Sequence, residues 1–142
     1  MAFRNLLCGM MAASSLCTTP ASAVAQEKAL SIELNEAVDL KGGCRLSFVA
    51  LNVTGVLLDK ASFDVFTFDG QGKVAEALVF EFGRLPAGKT KVVQFDLADQ
   101  ACNAISRLLI NDVTECVADG KNATICIDAL KTTTRTSINF GL

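Results

Sequence analysis

The chain has 142 residues with six cysteines, no histidine, tryptophan or tyrosine, and a formal net charge of −2. Without histidine, neither a Ser/His/Asp nor a Cys/His catalytic set can be built, and the mildly acidic balance offers nothing to nucleic acid or an anionic membrane. Zinc catalysis and copper handling draw on His, Met or free thiolates, so oxygen ligands are the main metal donors left.

Residues 1–23 carry Arg4, an apolar stretch from Leu6 to Leu16 and the small-residue end Pro20-Ala21-Ser22-Ala23, which is the layout of a cleavable export signal. The apolar stretch falls short of the ~20 residues that a membrane helix needs. Cleavage is expected after Ala23, with Ala25 as the second choice. Cys8 and Cys17 each follow Leu, which does not fit lipidation, and Arg4-Asn5 lacks a twin-arginine pair. Residues 24–142 are then expected to form one domain, periplasmic or secreted, with no membrane anchor. All three Met leave with the signal, and 12 basic against 15 acidic residues give the remainder a charge of −3.

Cys44, Cys102, Cys116 and Cys126 remain, an even number bound for an oxidising compartment. Neither the paired spacing of a zinc site nor Cys-x-x-Cys occurs, so structural disulfides are expected. Four cysteines allow three pairings; the expectation is Cys44 with Cys102 and Cys116 with Cys126, the latter stapling a short Asp-Gly-Lys-Asn loop.

From Ala29 onward, short apolar runs alternate with period two between turn signals, the pattern of an all-β chain. Seven strands are predicted: 29–34, 44–53, 61–69, 73–82, 90–97, 105–113 and 132–140. In the second, Cys44, Leu46, Phe48 and Ala50 share one face and Val49, Leu51 and Val53 the other, which predicts a central strand covered on both sides. In the third, Phe63 and Val65 point one way and Phe66 and Phe68 the other. In the fourth, Val74, Leu78, Phe80 and Phe82 form one set interrupted by Glu76. In the fifth, Val93, Phe95 and Leu97 are placed inward and Lys91 outward. Leu108, Ile110, Ile138 and Phe140 are further core candidates. Residues 96–104, with Leu97 to Ala101 as the candidate helical turn, and 123–130 are ambiguous between a loop and a helical turn. Seven strands in this length predict an immunoglobulin/fibronectin-like two-sheet sandwich stapled by disulfides.

Three segments carry a resemblance. Asn52-Val53-Thr54-Gly55, then Val65-Phe66-Thr67-Phe68-Asp69 with Gly72 and Val74, then Leu85-Pro86-Ala87-Gly88 resemble, in this order, the turn, hairpin and Pro-Gly loop of bacterial FxLYD-type domains, small fibronectin-like sandwiches of the cell envelope. Cys44-Arg45-Leu46-Ser47-Phe48-Val49, Phe82 to Gly88 and Gln94-Phe95-Asp96-Leu97 are similar to small secreted alphaproteobacterial proteins of unknown function. The resemblance implies compartment and fold and brings no activity.

Asp69 with Gln71, and Asp119 with Asn122 and Asp128, are candidate oxygen ligands for calcium, although turn chemistry explains them equally. Asp64, Asp69, Glu76 and Glu81 are the candidates for a carboxylate pair. Asn52-Val53-Thr54 and Asn122-Ala123-Thr124 match the glycosylation pattern and read as turns. Rings at 48, 63, 66, 68, 80, 82 and 95 exceed what one inner face is expected to hold, so Phe63, Phe66, Phe68 and Phe80 are candidates for an interaction surface. The expected function is a non-enzymatic interaction module with another envelope protein as partner and with no cofactor, metal or nucleic acid. The alternatives are a carrier of a small apolar ligand and, third, a hydrolase that uses carboxylates alone.

Overall fold

A computed structural model describes Ala23 and residues 25–142; the rest of the expected export signal lies outside the described residues. Nine strands occur among the described residues: β1 (Leu30–Leu40), β2 (Gly43–Asn52), β3 (Leu58–Phe68), β4 (Val74–Glu81), β5 (Thr90–Ala98), β6 (Arg107–Ala118), β7 (Lys121–Asn122), β8 (Leu130–Thr134) and β9 (Asn139–Gly141). They form two sheets, β5-β2-β1-β8 and β4-β3-β6, with β7 and β9 both pairing β6. With β1 to β6 taken as strands A, B, C, C′, E and F, this is the order of an immunoglobulin/fibronectin-like sandwich.

The core follows from alternation. Leu30, Ile32 and Leu34 of β1, Cys44, Leu46, Phe48 and Ala50 of β2, and Phe63 and Val65 of β3 are buried between the sheets. Phe48 is the hub, meeting Phe80, Phe82, Phe95 and Phe140 edge-on at centroid distances of 5.3 to 5.8 Å. Phe80 of β4 stacks on Phe95 of β5 at 4.3 Å, closing the seam between two edge strands of opposite sheets. Gly43 has no room for a side chain, because a Cβ there would collide with the Leu97 carbonyl oxygen.

Within the first five expected strands, four details differ. The first strand does not stop at Leu34: it continues to Leu40 through a bulge at Asn35, and the extra residue shifts the inward phase so that Ala37 sits opposite Leu46. The second strand is central in its sheet, between β1 and β5, but its outer face is only half-buried at Val49 and Leu51. In the fourth strand a bulge sets Phe68 opposite Val74 and Thr67 opposite Glu76, so Val74 joins the outer face, 58% exposed. Lys91 shares the parity of Val93 and points across the seam, where its Nζ donates to the Phe82 carbonyl at 2.7 Å.

The expected last strand is two. β8 runs parallel to β1 in the first sheet and β9 parallel to β6 in the second, and the chain crosses between them. The crossover is held by hydroxyls: Thr134 Oγ1 accepts from the Thr136 N–H and Thr136 Oγ1 from the Ile138 N–H, both at 3.1 Å. Neither ambiguous segment is a long helix. Leu97 and Ala98 finish β5, a single 3-10 turn spans Cys102–Ala104, and one α-turn spans Ile125–Asp128. The strand β7, absent from the expectation, returns from β6 through Asp119-Gly120, both at positive φ as a two-residue hairpin turn requires.

Both disulfides form as expected. Cys44–Cys102 has a Cα separation of 4.9 Å and ties β2 to the 3-10 turn, while Cys116–Cys126, at 5.9 Å, ties β6 to the α-turn.

Asn52 explains why two of the quoted segments belong together. Its side chain is fully buried; Nδ2 donates to the carbonyls of Val56 and Leu85 at 2.8 Å, and Oδ1 accepts from the N–H and hydroxyl of Thr54. Its backbone oxygen accepts from Gly88 at 2.7 Å. One amide therefore joins the turn after β2 to the Leu85-to-Gly88 loop. Asn52→Ala is expected to cost about 3 kcal/mol, because several buried partners lose their hydrogen bonds at once. Urea unfolding measures this.

Thr67 is the converse case. Its hydroxyl is buried on the inner face of β3 without a hydrogen-bond partner. Thr67→Val keeps the shape and removes the unsatisfied group, so a gain of about 1 kcal/mol is expected in the same assay.

Candidate functional site

The four candidate surface rings divide. Phe63 and Phe80 are corrected to the core, 0% and 3% exposed, because the inner face takes more rings than one sheet face would: β4 and β5 both direct phenylalanines into the seam around Phe48. Phe66 and Phe68 remain half-buried on the outer face of the second sheet.

Registers show what surrounds them. Ala77 of β4, Phe66 of β3, Leu109 of β6 and Gly141 of β9 lie directly opposite one another, so one row crosses four strands. Cross-strand neighbours share a face, so the Ala77, Phe66 and Leu109 side chains form an apolar band. Val79, 55% exposed, extends the band on the free edge strand β4. At one end the Arg107 guanidinium lies 5.3 Å from the Phe68 ring centroid.

The other end of this face is charged. Asp64 and Asp112 are directly opposite, and Asp64 accepts from the Asn111 amide at 3.0 Å. Next to them Glu81, Ser62 and Glu115 form a row, and Lys60 joins Glu115 at 2.8 Å. The Glu115 hydrogen bond and charge, helped by Glu81, hold the Lys60 ammonium above its ordinary pKa. Lys60, Glu81 and Glu115 line a surface cavity of about 290 Å³. Sequence reasoning named Glu81 but missed Glu115 and Leu109, whose placement depends on three register irregularities between β3 and β6.

The other candidates do not gather. Asp69 Oδ1 accepts from the N–H groups of Gln71 and Lys73, both at 2.9 Å, which is turn chemistry. Glu76 takes the Gln100 amide, and Asp128 takes the Thr124 hydroxyl. No cluster of three potential metal ligands occurs among the described residues. Asn52 is enclosed and engaged, whereas Asn122 is exposed.

Away from this face, Arg45 pairs with Asp96 through two 2.7 Å hydrogen bonds, which hold the Asp96 carboxyl below its ordinary range. A second cavity, of about 410 Å³, lies along β1 between Asn35 and Asp39, with Cys102, Asn103 and the Arg135-to-Ile138 crossover as its other walls.

No family model matches the chain, and no curated protein does. Among solved structures the chain is similar to IrmA from Escherichia coli, with a TM-score of 0.57 and 10% identity over 74% of this chain and 91% of that one. At that identity the likeness is one of fold, and the two disulfide-stapled sheets are those of an all-β sandwich.

Proposed function

We propose that this chain is a secreted or periplasmic, non-enzymatic β-sandwich that serves as a protein-protein interaction module of the bacterial envelope. The observation that carries the reading is the apolar band Ala77-Phe66-Leu109 on the outer face of the second sheet, beside the uncovered edge strand β4. A solvent-facing sheet surface is ordinarily polar, and a long apolar edge strand is ordinarily blunted by charge or proline. Here β4 exposes Val74, Ala75, Ala77 and Val79. The partner presents apolar side chains to the band and Lys or Arg to the Asp64/Asp112 end, where two carboxylates face each other across the strands. Two disulfides, and no helix among the described residues long and apolar enough to cross a membrane, are compatible with an extracytoplasmic location.

The walls of the two cavities are largely polar, which lends no weight to a carrier of apolar ligands. The test is Phe66→Asp. Because the ring is half-buried on an outer face, the substitution is expected to leave the fold intact, lowering stability by less than about 1.5 kcal/mol, and to abolish crosslinked capture of the envelope partner retained by wild type. Capture unchanged by the substitution would remove the band from the contact.

A further inference from the structure

We infer that the cleft along the second half of β1 is a binding site for a short extended peptide carrying lysine or arginine, taken up by strand addition. The inference goes beyond the outer-face contact proposed above and uses a different surface.

The cleft exists because β1 outlasts its neighbour. β8 accompanies β1 only from Leu30 to Leu34, and the chain then leaves for the second sheet, whereas β1 continues to Leu40. Which backbone groups this exposes follows from the ladder. The N–H and C=O of Asn52 point to the β5 side, engaging Lys89 and Gly88. Alternate residues point alike, so Leu46 and Cys44 also turn away from β1. Their partners Ala37 and Asp39 are therefore in non-hydrogen-bonded pairs and direct their own N–H and C=O groups to the side that β8 has vacated. The described residues supply no strand there.

The vacancy is bounded. Arg135, whose N–H donates to the Leu34 carbonyl at 2.9 Å, closes one end, and the 3-10 turn closes the other, where the Cys102 N–H donates to Asp39 Oδ1 at 2.9 Å. Between these ends lie about four residues of open edge, ~13 Å at the strand rise. Between polar walls, the half-buried Ala37 packs on the core, with the buried Ile138 at the crossover side. Ala37 leaves room for an inward-facing side chain of a docked strand.

The charge selects the ligand. Arg135 Nε is committed to Glu33 at 2.9 Å, but no cation among the described residues pairs with Glu36 or Asp39. Ala37 and Asp39 lie on the inner face, opposite Leu46 and Cys44, and Glu36 on the outer face, opposite Ser47, so an extended segment that alternates small apolar residues inward and basic residues outward satisfies the open backbone groups, the Ala37 surface and the Glu36 carboxylate together.

The test uses protein produced from the full-length chain and fluorescence anisotropy of a labelled Thr-Val-Lys-Val-Lys-Val-Thr peptide, with Thr-Val-Glu-Val-Glu-Val-Thr as control. Wild type is expected to bind the basic peptide saturably and to ignore the acidic one. Ala37→Pro removes an N–H that β2 does not use and is expected to abolish binding. Glu36→Lys, on an exposed side chain, is expected to weaken it by about tenfold or more. Should Ala37→Pro fail to fold, Glu36→Lys and the acidic peptide decide the matter. No saturable binding by wild type, equal binding of both peptides, or unchanged affinity in Glu36→Lys would each overturn the inference. Phe66→Asp is expected to bind the peptide normally, so failure here is distinguishable from failure of the outer-face proposal.

Discussion

Phe48→Ala is expected to cost about 4 kcal/mol, near the upper part of the range for a fully buried ring. Phe48 touches four rings, Phe80 of β4, Phe82 just after it, Phe95 of β5 and Phe140 of β9, and so lies where both sheets and the β4/β5 seam meet. Truncation removes its own burial and also the edge-on contacts of four neighbours, of which only Phe82 has a further ring partner outside the group, Phe63. The denaturant midpoint should fall with little change in slope, since the surface exposed on unfolding stays nearly the same. A cost below about 1.5 kcal/mol would mean that the cluster collapses onto the vacancy and that Phe48 is not its hub.

The second large effect is expected from the long disulfide. Cys44–Cys102 closes 58 residues and Cys116–Cys126 closes 10. By chain entropy these constrain the unfolded state by about 4 and about 3 kcal/mol respectively. The paired replacement Cys44→Ser with Cys102→Ser should therefore be the more damaging of the two, and more so because Cys44 is completely buried in the core and a serine hydroxyl there lacks an obvious partner. The single change Cys44→Ser should free one thiol, at Cys102, in the unfolded protein. Thiol labelling with peptide mapping reads the pairing, and unfolding in urea reads the order of the two losses. Equal losses, or labelling at Cys116 or Cys126, would contradict it.

The all-β class and the disulfide framework were legible because they depend on local alternation and on compartment. Cys44, Leu46, Phe48 and Ala50 alternate cleanly along β2, and all four are fully buried. What the sequence concealed lies at irregularities that change the phase of alternation. An extra residue at Asn35 hid the second half of β1 and with it the cleft, because Ala37 falls out of step with Leu34. The bulge beside Phe68 moved Val74 from the expected inner set to the outer face. The Thr134-to-Ile138 crossover is rich in threonine, which strands also favour, so composition alone joined β8 to β9.

The candidate surface was half legible. Opposite faces of β3 were assigned correctly from parity, which separates Phe63 from Phe66. That Phe80 and Phe95 would stack across the seam, and that Leu109 would stand beside Phe66, depends on pairings between strands far apart in the chain. Sequence carries no register for such pairings when neither strand is joined to the other by a short turn.

The proposed function stands on the outer face around Phe66 being a contact surface. The most direct measurement places a photo-crosslinking amino acid at position 66 in living cells, with position 92 on the opposite sheet as control, since Val92 is 62% exposed. One discrete adduct is expected from position 66, none from 92, and loss of that adduct in Val79→Asp. A folded protein that gives no adduct at 66, or the same adducts from both positions, would contradict it.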